Sequence, residues 1–171
     1  TTNSRASRIT LQFDEYIDLQ DVPNNLPFTP IFETTPVVQA RLRTITIRLP
    51  DSLEANTTYT FNFGNALRDI NEGNILENFA YTFSTGPYID SLTLSGNVTL
   101  AETGGIDTTL IVVLHRSADD SAIVKERPRY VTRVNRQGAF TFRNLPSDTF
   151  YIYALGEAGL SRRYMSKTQL F

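Results

Sequence analysis

The chain of 171 residues contains no cysteine, no tryptophan and a single histidine. The missing cysteine excludes disulfides, thiolate metal sites and cysteine nucleophiles in these residues, but it says little about the compartment. A zinc site built from histidine and cysteine needs several such side chains, so a lone His115 excludes it. No nucleophile motif accompanies His115, and we therefore expect a structural histidine there.

Long apolar runs and strong net charge are also lacking. Apolar residues make up 40% of the chain and charged residues 20%, which is typical of a globular protein without a membrane-spanning helix. The net charge is −2 and divides unevenly: residues 1–87 hold six Lys or Arg and ten Asp or Glu, whereas residues 88–171 hold ten and eight. No run of like charge exceeds two or three residues, so binding to nucleic acid is not predicted.

Aromatic residues on every second position are the strongest structural signal. They form two runs, Tyr59, Phe61 and Phe63 followed by Phe79, Tyr81 and Phe83. Because side chains alternate between the two faces of a strand, each run predicts a half-buried strand with three rings on one side. The segment Arg68–Asn74 between them is rich in Asp, Asn and Gly, which predicts a tight turn in an ordered loop.

Other alternating or β-branched runs predict the remaining strands. In the first half they lie at 9–13, 37–42 and 44–49, and prolines interrupt the chain between 23 and 36. In the second half they lie at 92–100, 110–114, 130–134, 139–143 and 150–155, with Gly96 marking a bulge or a close backbone contact. The continuous apolar run Leu110–Leu114 predicts a central strand covered on both faces.

The best domain boundary is Gly86-Pro87-Tyr88, since glycine frees the chain and proline offers no backbone donor for strand pairing. Short strands separated by turns are typical of sandwiches rather than of alternating strands and helices. We therefore predict an all-β fold with two tandem β-sandwich domains, residues 1–87 and 88–171. Halves of this size are large enough for small independent cores.

Two acidic segments of the first half offer oxygen ligands for a hard cation such as calcium. The candidates are Asp69, Asn71 and Asn74 in the turn, and Asp14, Glu15, Asp18 and Asp21 nearer the start of the chain. The turn has the wrong register for an EF-hand, because glycine stands at its fifth position where a ligand belongs. A turn stabilised by its own side-chain hydrogen bonds, and a solvated acidic loop, are the favoured interpretations. No cofactor is predicted.

Basic side chains cluster in the second half. They are Lys125, Arg127, Arg129, Arg133 and Arg136. Lys125, Arg127, Arg129 and Arg133 are separated by even numbers of residues, and such side chains point to the same side of an extended chain. We therefore expect several of them to project from one face around the strand at 130–134. Such a patch would dock an anionic partner, such as a lipopolysaccharide phosphate or an acidic protein face. The alternative, which we favour, is a solvated edge whose charges discourage pairing between sheets.

Four motifs of the first half together resemble the bacterial Ig-like domain that is common in Bacteroidota envelope lipoproteins. They are Phe13-Asp14-Glu15, Leu53–Thr60, the turn Asp69–Asn74 and the closing Phe83–Gly86. The second half is similar to the transthyretin-like, carboxypeptidase-regulatory type of β-sandwich. Its motifs are Leu94–Val98, Gly138–Pro146 and Tyr151–Ala154.

The resemblance implies a non-enzymatic structural or interaction module of an outer-membrane lipoprotein. Such relatives carry a lipid on a cysteine left by signal-peptide cleavage, so we expect an anchor upstream of Thr1 and further chain beyond Phe171. The expected partner is an outer-membrane β-barrel protein of a complex for protein insertion, secretion or uptake, or another envelope protein. The expected contacts are the turn 69–74, the acidic segment 14–21 and the arginine cluster 127–136.

The alternative function is a carbohydrate-binding or adhesive accessory domain of a surface protein. Exposed aromatic rings that stack on sugars would be its mark. The tyrosines available for this role are Tyr16, Tyr88, Tyr130 and Tyr164. The alternating aromatic residues are better explained by the domain cores.

Four Asp-Ser or Asp-Thr steps resemble the O-glycosylation motif of Bacteroidota, in which a small or apolar residue or threonine follows. The acceptor candidates are Ser52, Ser91, Thr108 and Ser121, each in a predicted loop or at a strand start. The expectation is glycan on at least one of them in protein from the native host. An intact mass above the sequence mass would support it.

Overall fold

The computed structural model describes residues 1–20, 28–50, 53–119 and 122–156, and it is all-β as predicted. The chain divides into two compact units, Thr1–Ile89 and a second that begins at Asp90. This division lies two residues after the expected boundary at 87. Each unit consists of antiparallel sheets.

Eight strands form the described part of the first unit. They are β1 (Arg8–Gln12), β2 (Ile17–Leu19), β3 (Phe28–Thr29), β4 (Val37–Arg41), β5 (Thr44–Arg48), β6 (Thr58–Gly64), β7 (Leu67–Asp69) and β8 (Phe79–Ser84). One sheet has the order β1-β5-β4 and another has the order β3-β6-β8, while β2 and β7 pair as a separate two-stranded ribbon. The short strand β3 comes from the proline-interrupted passage and lies at a sheet edge, where proline neighbours are tolerated.

The core of the first unit is built from the alternating aromatic residues. Phe61, Phe63 and Phe83 are fully buried, and they face Ile45 and Ile47 of the other sheet. The ring centroids of Phe61 and Phe83 are 6.0 Å apart in a stacked arrangement. Fully burying one such side chain contributes about 1.5–3 kcal/mol, so these residues dominate the stability of the unit. The prediction of two half-buried aromatic strands is confirmed.

The β2–β7 ribbon was not predicted from the sequence. Ile17 pairs with Asp69, and Asp18 pairs with Arg68. Because paired residues share a face, Ile17 and Asp69 point inward and are buried, whereas Asp18 points outward. Asp18 and Tyr16, which precedes the strand, are both exposed. The ribbon therefore joins the acidic segment after β1 to the predicted turn.

Five strands and a one-turn helix form the described part of the second unit. They are β9 (Leu92–Asn97), β10 (Leu110–His115), α1 (Ala122–Lys125), β11 (Tyr130–Arg133), β12 (Ala139–Leu145) and β13 (Tyr151–Gly156). A sheet of order β11-β10-β13 is accompanied by the pair β12-β9. Every residue of β10 is buried, so the prediction of a strand covered on both faces is confirmed.

The two faces of β10 serve different clusters. Leu110, Val112 and Leu114 pack in one cluster with Phe140 and Phe142 of β12. The alternate residues of β10 belong to a second cluster, which includes Ile123 of α1 and Leu155 of β13. A continuous apolar sequence is therefore required, because neither face of the strand meets water.

Gly96 marks a close contact, as predicted, but not a bulge. It pairs with Phe140, and a Cβ atom at Gly96 would lie 2.8 Å from Cζ of that ring. The irregularity in this pair of strands lies instead in β12, between Phe142 and Leu145, where Asn144 adopts a positive φ of 57°. The Asn144 side chain donates a hydrogen bond to the Asp90 carbonyl oxygen at 3.0 Å.

Candidate interaction surface

Two segments that were singled out separately in the sequence lie side by side in the first unit. The backbone N–H of Ile70 donates to the carbonyl oxygen of Tyr16 at 2.9 Å. The N–H of Ile17 donates in turn to the carbonyl oxygen of Leu42, in the turn between β4 and β5, also at 2.9 Å. We call the combined surface of residues 14–18, 42–43 and 69–76 the loop surface. It unites the acidic segment and the predicted turn with a hairpin tip.

Asp69 organises the turn from within. Its Oδ1 accepts from the N–H of Asn71 at 3.0 Å and its Oδ2 from the N–H of Glu72 at 2.7 Å. Its own carbonyl oxygen accepts from Gly73, which adopts a positive φ of 75°. The carboxylate is buried, and both of its oxygens serve the turn. This is the side-chain-stabilised turn favoured from the sequence.

Calcium binding by this turn stays the untested alternative to the self-stabilised turn. Asn71 and Asn74 are exposed, and the side-chain amide of Asn74 donates to Glu72 at 2.8 Å. In the described ranges, no group of three or more His, Asp or Glu side chains is arranged to hold a metal ion. Of the second set of candidates, Asp14, Glu15 and Asp18 are exposed and Asp21 lies outside the described residues.

The loop surface is locally electronegative. The pKa of Glu15 lies above its usual value, chiefly because the Asp69 carboxylate is near, with smaller effects from desolvation, Asp14 and Glu72. A carboxylate whose neighbours are carboxylates resists ionisation. The field at this end of the unit therefore favours cationic groups on whatever approaches it.

Five exposed apolar or aromatic side chains belong to the loop surface. They are Leu42 (62% exposed), Ile70 (59%), Leu76 (46%), Ile75 (44%) and Tyr16 (40%). The guanidinium of Arg43 lies 4.8 Å from the centroid of the Tyr16 ring, which is cation–π distance. Large apolar groups held on loops by a rigid sheet, with charged groups around them, are typical of binding surfaces.

Sequence reasoning missed Leu42 and Ile70. Leu42 continues the apolar run of the predicted strand 37–42, and its exposure follows only from the register that makes it a turn residue. A signal was present, because the predicted strands 37–42 and 44–49 leave a single residue between them, which is too few for a hairpin turn. Ile70 stands alone among polar residues, a pattern without period.

The residues of the predicted arginine patch differ in exposure. Arg127, Arg133 and Arg136 are exposed, whereas Arg129 is partly buried and its side chain contacts the hydroxyl of Tyr130. Lys125, Arg127 and Arg129 were expected to share one face of an extended chain. This expectation is wrong, because Lys125 ends α1 and the extended strand begins only at Tyr130. A docking role for Arg127, Arg129, Arg133 and Arg136 stays a prediction.

Two residues singled out in the second half are buried. Tyr130 lies edge-on to Phe150 at 5.4 Å between ring centroids, and burial raises its pKa. Its proposed role in stacking on sugars is therefore wrong. His115 is buried beside Tyr153, and burial lowers its pKa despite the opposing effect of Glu126. This environment agrees with a structural histidine.

The other tyrosines and the glycosylation candidates are distributed over both units. Tyr16 and Tyr88 are exposed, and Tyr164 lies outside the described residues. Ser91 and Thr108 are exposed at the sites where glycan was expected, while Ser52 and Ser121 also lie outside the described residues. Glycan occupancy stays a prediction.

Comparison with known proteins identifies the first unit. Residues 1–85 match the family model described as bacterial Ig-like domain. No curated protein and no solved structure matches the chain. None of the described residues forms a helix long and apolar enough to cross a membrane. The first unit is therefore a bacterial Ig-like domain, of a family that occurs in bacterial surface or envelope proteins and generally serves structural or binding roles rather than catalysis.

Proposed function

We propose that this chain is a non-enzymatic interaction module of an outer-membrane lipoprotein and docks on an outer-membrane β-barrel complex. The observation that carries the proposal is the loop surface, where Tyr16, Leu42 and Ile70 are exposed at one end of an Ig-like domain. The complex would serve protein insertion, secretion or uptake. A lipid anchor upstream of these residues would hold the protein at the membrane.

The shape of the loop surface supports docking on a protein. Its apolar side chains come from three separate segments that backbone hydrogen bonds fix against one another, through Tyr16 to Ile70 and through Leu42 to Ile17. Protein interfaces commonly have an apolar centre and a charged rim, and a rigid centre lowers the entropic cost of association. Asp14, Glu15 and Glu72 supply such a rim here.

The second unit has a supporting role in this proposal. We assign it to the transthyretin-like type of sandwich, on the motifs that carry that resemblance, and give it the role of a spacer. The exposed arginines 127, 133 and 136 supply a secondary contact for an anionic group on the complex or on the membrane.

The test is recovery of the partner from detergent-solubilised outer membranes of the native host. The tagged full-length protein is compared with a Tyr16→Ala, Ile70→Ser double variant, and with Val37→Ser as a matched control. Val37 is equally exposed but lies on β4, away from the loop surface. We expect a stoichiometric β-barrel protein with the wild type and the control, and its loss with the double variant. Equal recovery with all three, or recovery of the bait alone, would contradict the proposal.

A carbohydrate-binding function is the second candidate, because Tyr16 and Tyr88 are exposed aromatic rings. Stacking on a sugar requires an accessible ring face, and the Tyr16 face is already shared with Arg43, which leaves Tyr88 as the better candidate. A glycan array probed with the wild type and with Tyr88→Ala tests it. A hit that is lost in the variant would favour this function, and the absence of any hit would remove it.

A further inference from the structure

We infer that Leu42 is the anchor of the loop surface, and that it inserts into an apolar pocket bordered by Lys or Arg side chains on a partner protein. This inference rests on the proposed interaction function, but not on the identity of the partner as a β-barrel.

The hairpin turn places Leu42 in an unfavourable backbone conformation. Arg41 pairs with Thr44, so the connection consists of Leu42 and Arg43 alone. Two-residue hairpin turns require positive φ, which glycine and asparagine supply at little cost. Leu42 adopts a φ of 56°, where its Cβ crowds the following carbonyl oxygen.

Elsewhere in the described chain, asparagine or glycine occupies every position of positive φ. The other residues with positive φ are Asn3, Asn56, Asn78, Asn144 and the glycines at 64, 73, 104 and 138. Leucine at position 42 thus departs from a rule that the chain otherwise follows. Burial does not compensate the strain, since the side chain is among the most exposed large apolar groups of the first unit.

Backbone strain that is not compensated by packing of the side chain is typical of functional sites. Leu42 is also tied firmly in place, because its carbonyl oxygen accepts from Ile17 and its neighbour Arg43 rests on the Tyr16 ring. A rigidly presented leucine loses little freedom when it enters a pocket. These are the properties of an interface anchor.

The charges of the loop surface indicate which side chains border the pocket on the partner. Asp14, Glu15, Asp18 and Glu72 are exposed carboxylates of the loop surface. Two arginines flank Leu42, the exposed Arg41 and Arg43, which is engaged with Tyr16, so the carboxylates outnumber the arginines by four to two. A partner that presents cationic side chains around an apolar pocket complements this arrangement, whereas an acidic partner would be repelled.

The experiment selects a library of random cyclic peptides, displayed on phage, against the full chain, and counter-screens the binders on variants. Leu42→Asn removes the apolar side chain and suits the turn, Leu42→Met keeps an apolar side chain, and Val37→Asn is a surface control on the same hairpin. We expect binders that combine apolar residues with Lys or Arg. They should lose affinity at least about 10-fold on Leu42→Asn, as for hot-spot residues, and bind Leu42→Met and Val37→Asn like the wild type.

Thermal unfolding of the same proteins supplies the second readout. Relief of the strained turn should raise the unfolding midpoint of Leu42→Asn by about 4 °C, so that stability and binding change in opposite directions. Binders that are indifferent to Leu42→Asn, binders without basic residues, or an unfolding midpoint lowered by that substitution would each overturn the inference. If the peptides behave as expected but no β-barrel protein is recovered from membranes, only the proposed partner fails.

Discussion

The two units differ in where they leave apolar side chains exposed. In the first, exposed apolar groups lie on loops, as Leu42 and Ile70 do, or on the outward face of an edge strand, as Val37 does on β4. In the second, Leu92 and Leu94 pair with Leu145 and Phe142 and so face the interior, yet they are 53% and 37% exposed. Ile152 shares a face with the buried Leu114 and is 47% exposed.

The difference shows that an exposed apolar residue has two separate meanings. On the loops of the first unit it lies outside any core, which agrees with the proposed binding role. On β9 and β13 it belongs to a face that the described strands cover incompletely, since the pair β12-β9 accompanies a sheet of three strands. Strand register, rather than exposure alone, separates these cases.

The largest effect is expected in the closed core of the first unit. Phe61→Ala removes a fully buried ring that contacts Phe28, Phe32 and Phe83, and should reduce the free energy of unfolding of that unit by about 3–5 kcal/mol. Amide hydrogen exchange measured by mass spectrometry reports each unit separately. Tyr88→Ala, which truncates an exposed ring, is the control. A loss below about 1 kcal/mol would mean that the ring stack is not the centre of the core.

A smaller effect is expected at the turn of the loop surface. Asp69→Ala removes the acceptor of two backbone hydrogen bonds and should cost the first unit about 1–2 kcal/mol, by analogy with the loss of a helix cap. Exchange should accelerate most strongly between residues 70 and 76. Glu77→Ala, an exposed carboxylate outside the turn, is the control.

The same proteins test the calcium alternative. Because both carboxylate oxygens of Asp69 already accept backbone hydrogen bonds, we expect the same thermal midpoint for the wild type with calcium and with a chelator. A midpoint that rises with calcium in the wild type, but not in Asp69→Ala, would show that the turn is a cation site.

The turn and the aromatic strands could be predicted because their signals are local. Side-chain alternation in β6 and β8, the apolar run of β10 and the hydrogen bonds of Asp69 all involve residues close in sequence. The ribbon β2–β7 could not, since strands of three residues carry no measurable period. Pairing between Ile17 and Asp69 is non-local, and nothing within either segment indicates it.

The candidate site was therefore predicted in pieces. The acidic segment and the turn were identified, but not their contact with each other or with Leu42. In the second half, the expectation that basic residues of 125–129 share a face failed, because a helical turn interrupts the extended chain. Leu92 and Leu94 alternate in the predicted strand 92–100 and do share a face, but alternation cannot show whether another element covers that face.

A pH effect should distinguish the units. His115 in the second unit has a lowered pKa in the folded state because of burial, so the unfolded chain binds its proton more readily. Stability of this unit should be fully present above the usual histidine pKa of about 6.5 and decline as the pH falls below it. The first unit has no histidine, and Glu15, whose pKa is raised, acts in the opposite direction with a small effect because it is exposed.

Hydrogen exchange at pH 7.5 and pH 5.5, corrected for intrinsic rates, should therefore show weakened protection in the second unit alone. His115→Leu, which carries no titratable group, should remove the difference. A decline of equal size in both units, or one that persists in His115→Leu, would contradict this origin.

The smallest effect on the free energy of unfolding is expected on β9, where the second unit leaves apolar side chains exposed. Leu92→Ala should change the free energy of unfolding by less than about 0.5 kcal/mol, the range of surface substitutions, although Leu92 faces the interior. Leu114→Ala, on the buried strand of the same unit, should cost about 2–5 kcal/mol. The ratio of these two changes in the free energy of unfolding measures how far β9 takes part in the core. If Leu92→Ala proved as costly as Leu114→Ala, this face of β9 would be covered in solution, and the contrast between the two units would disappear.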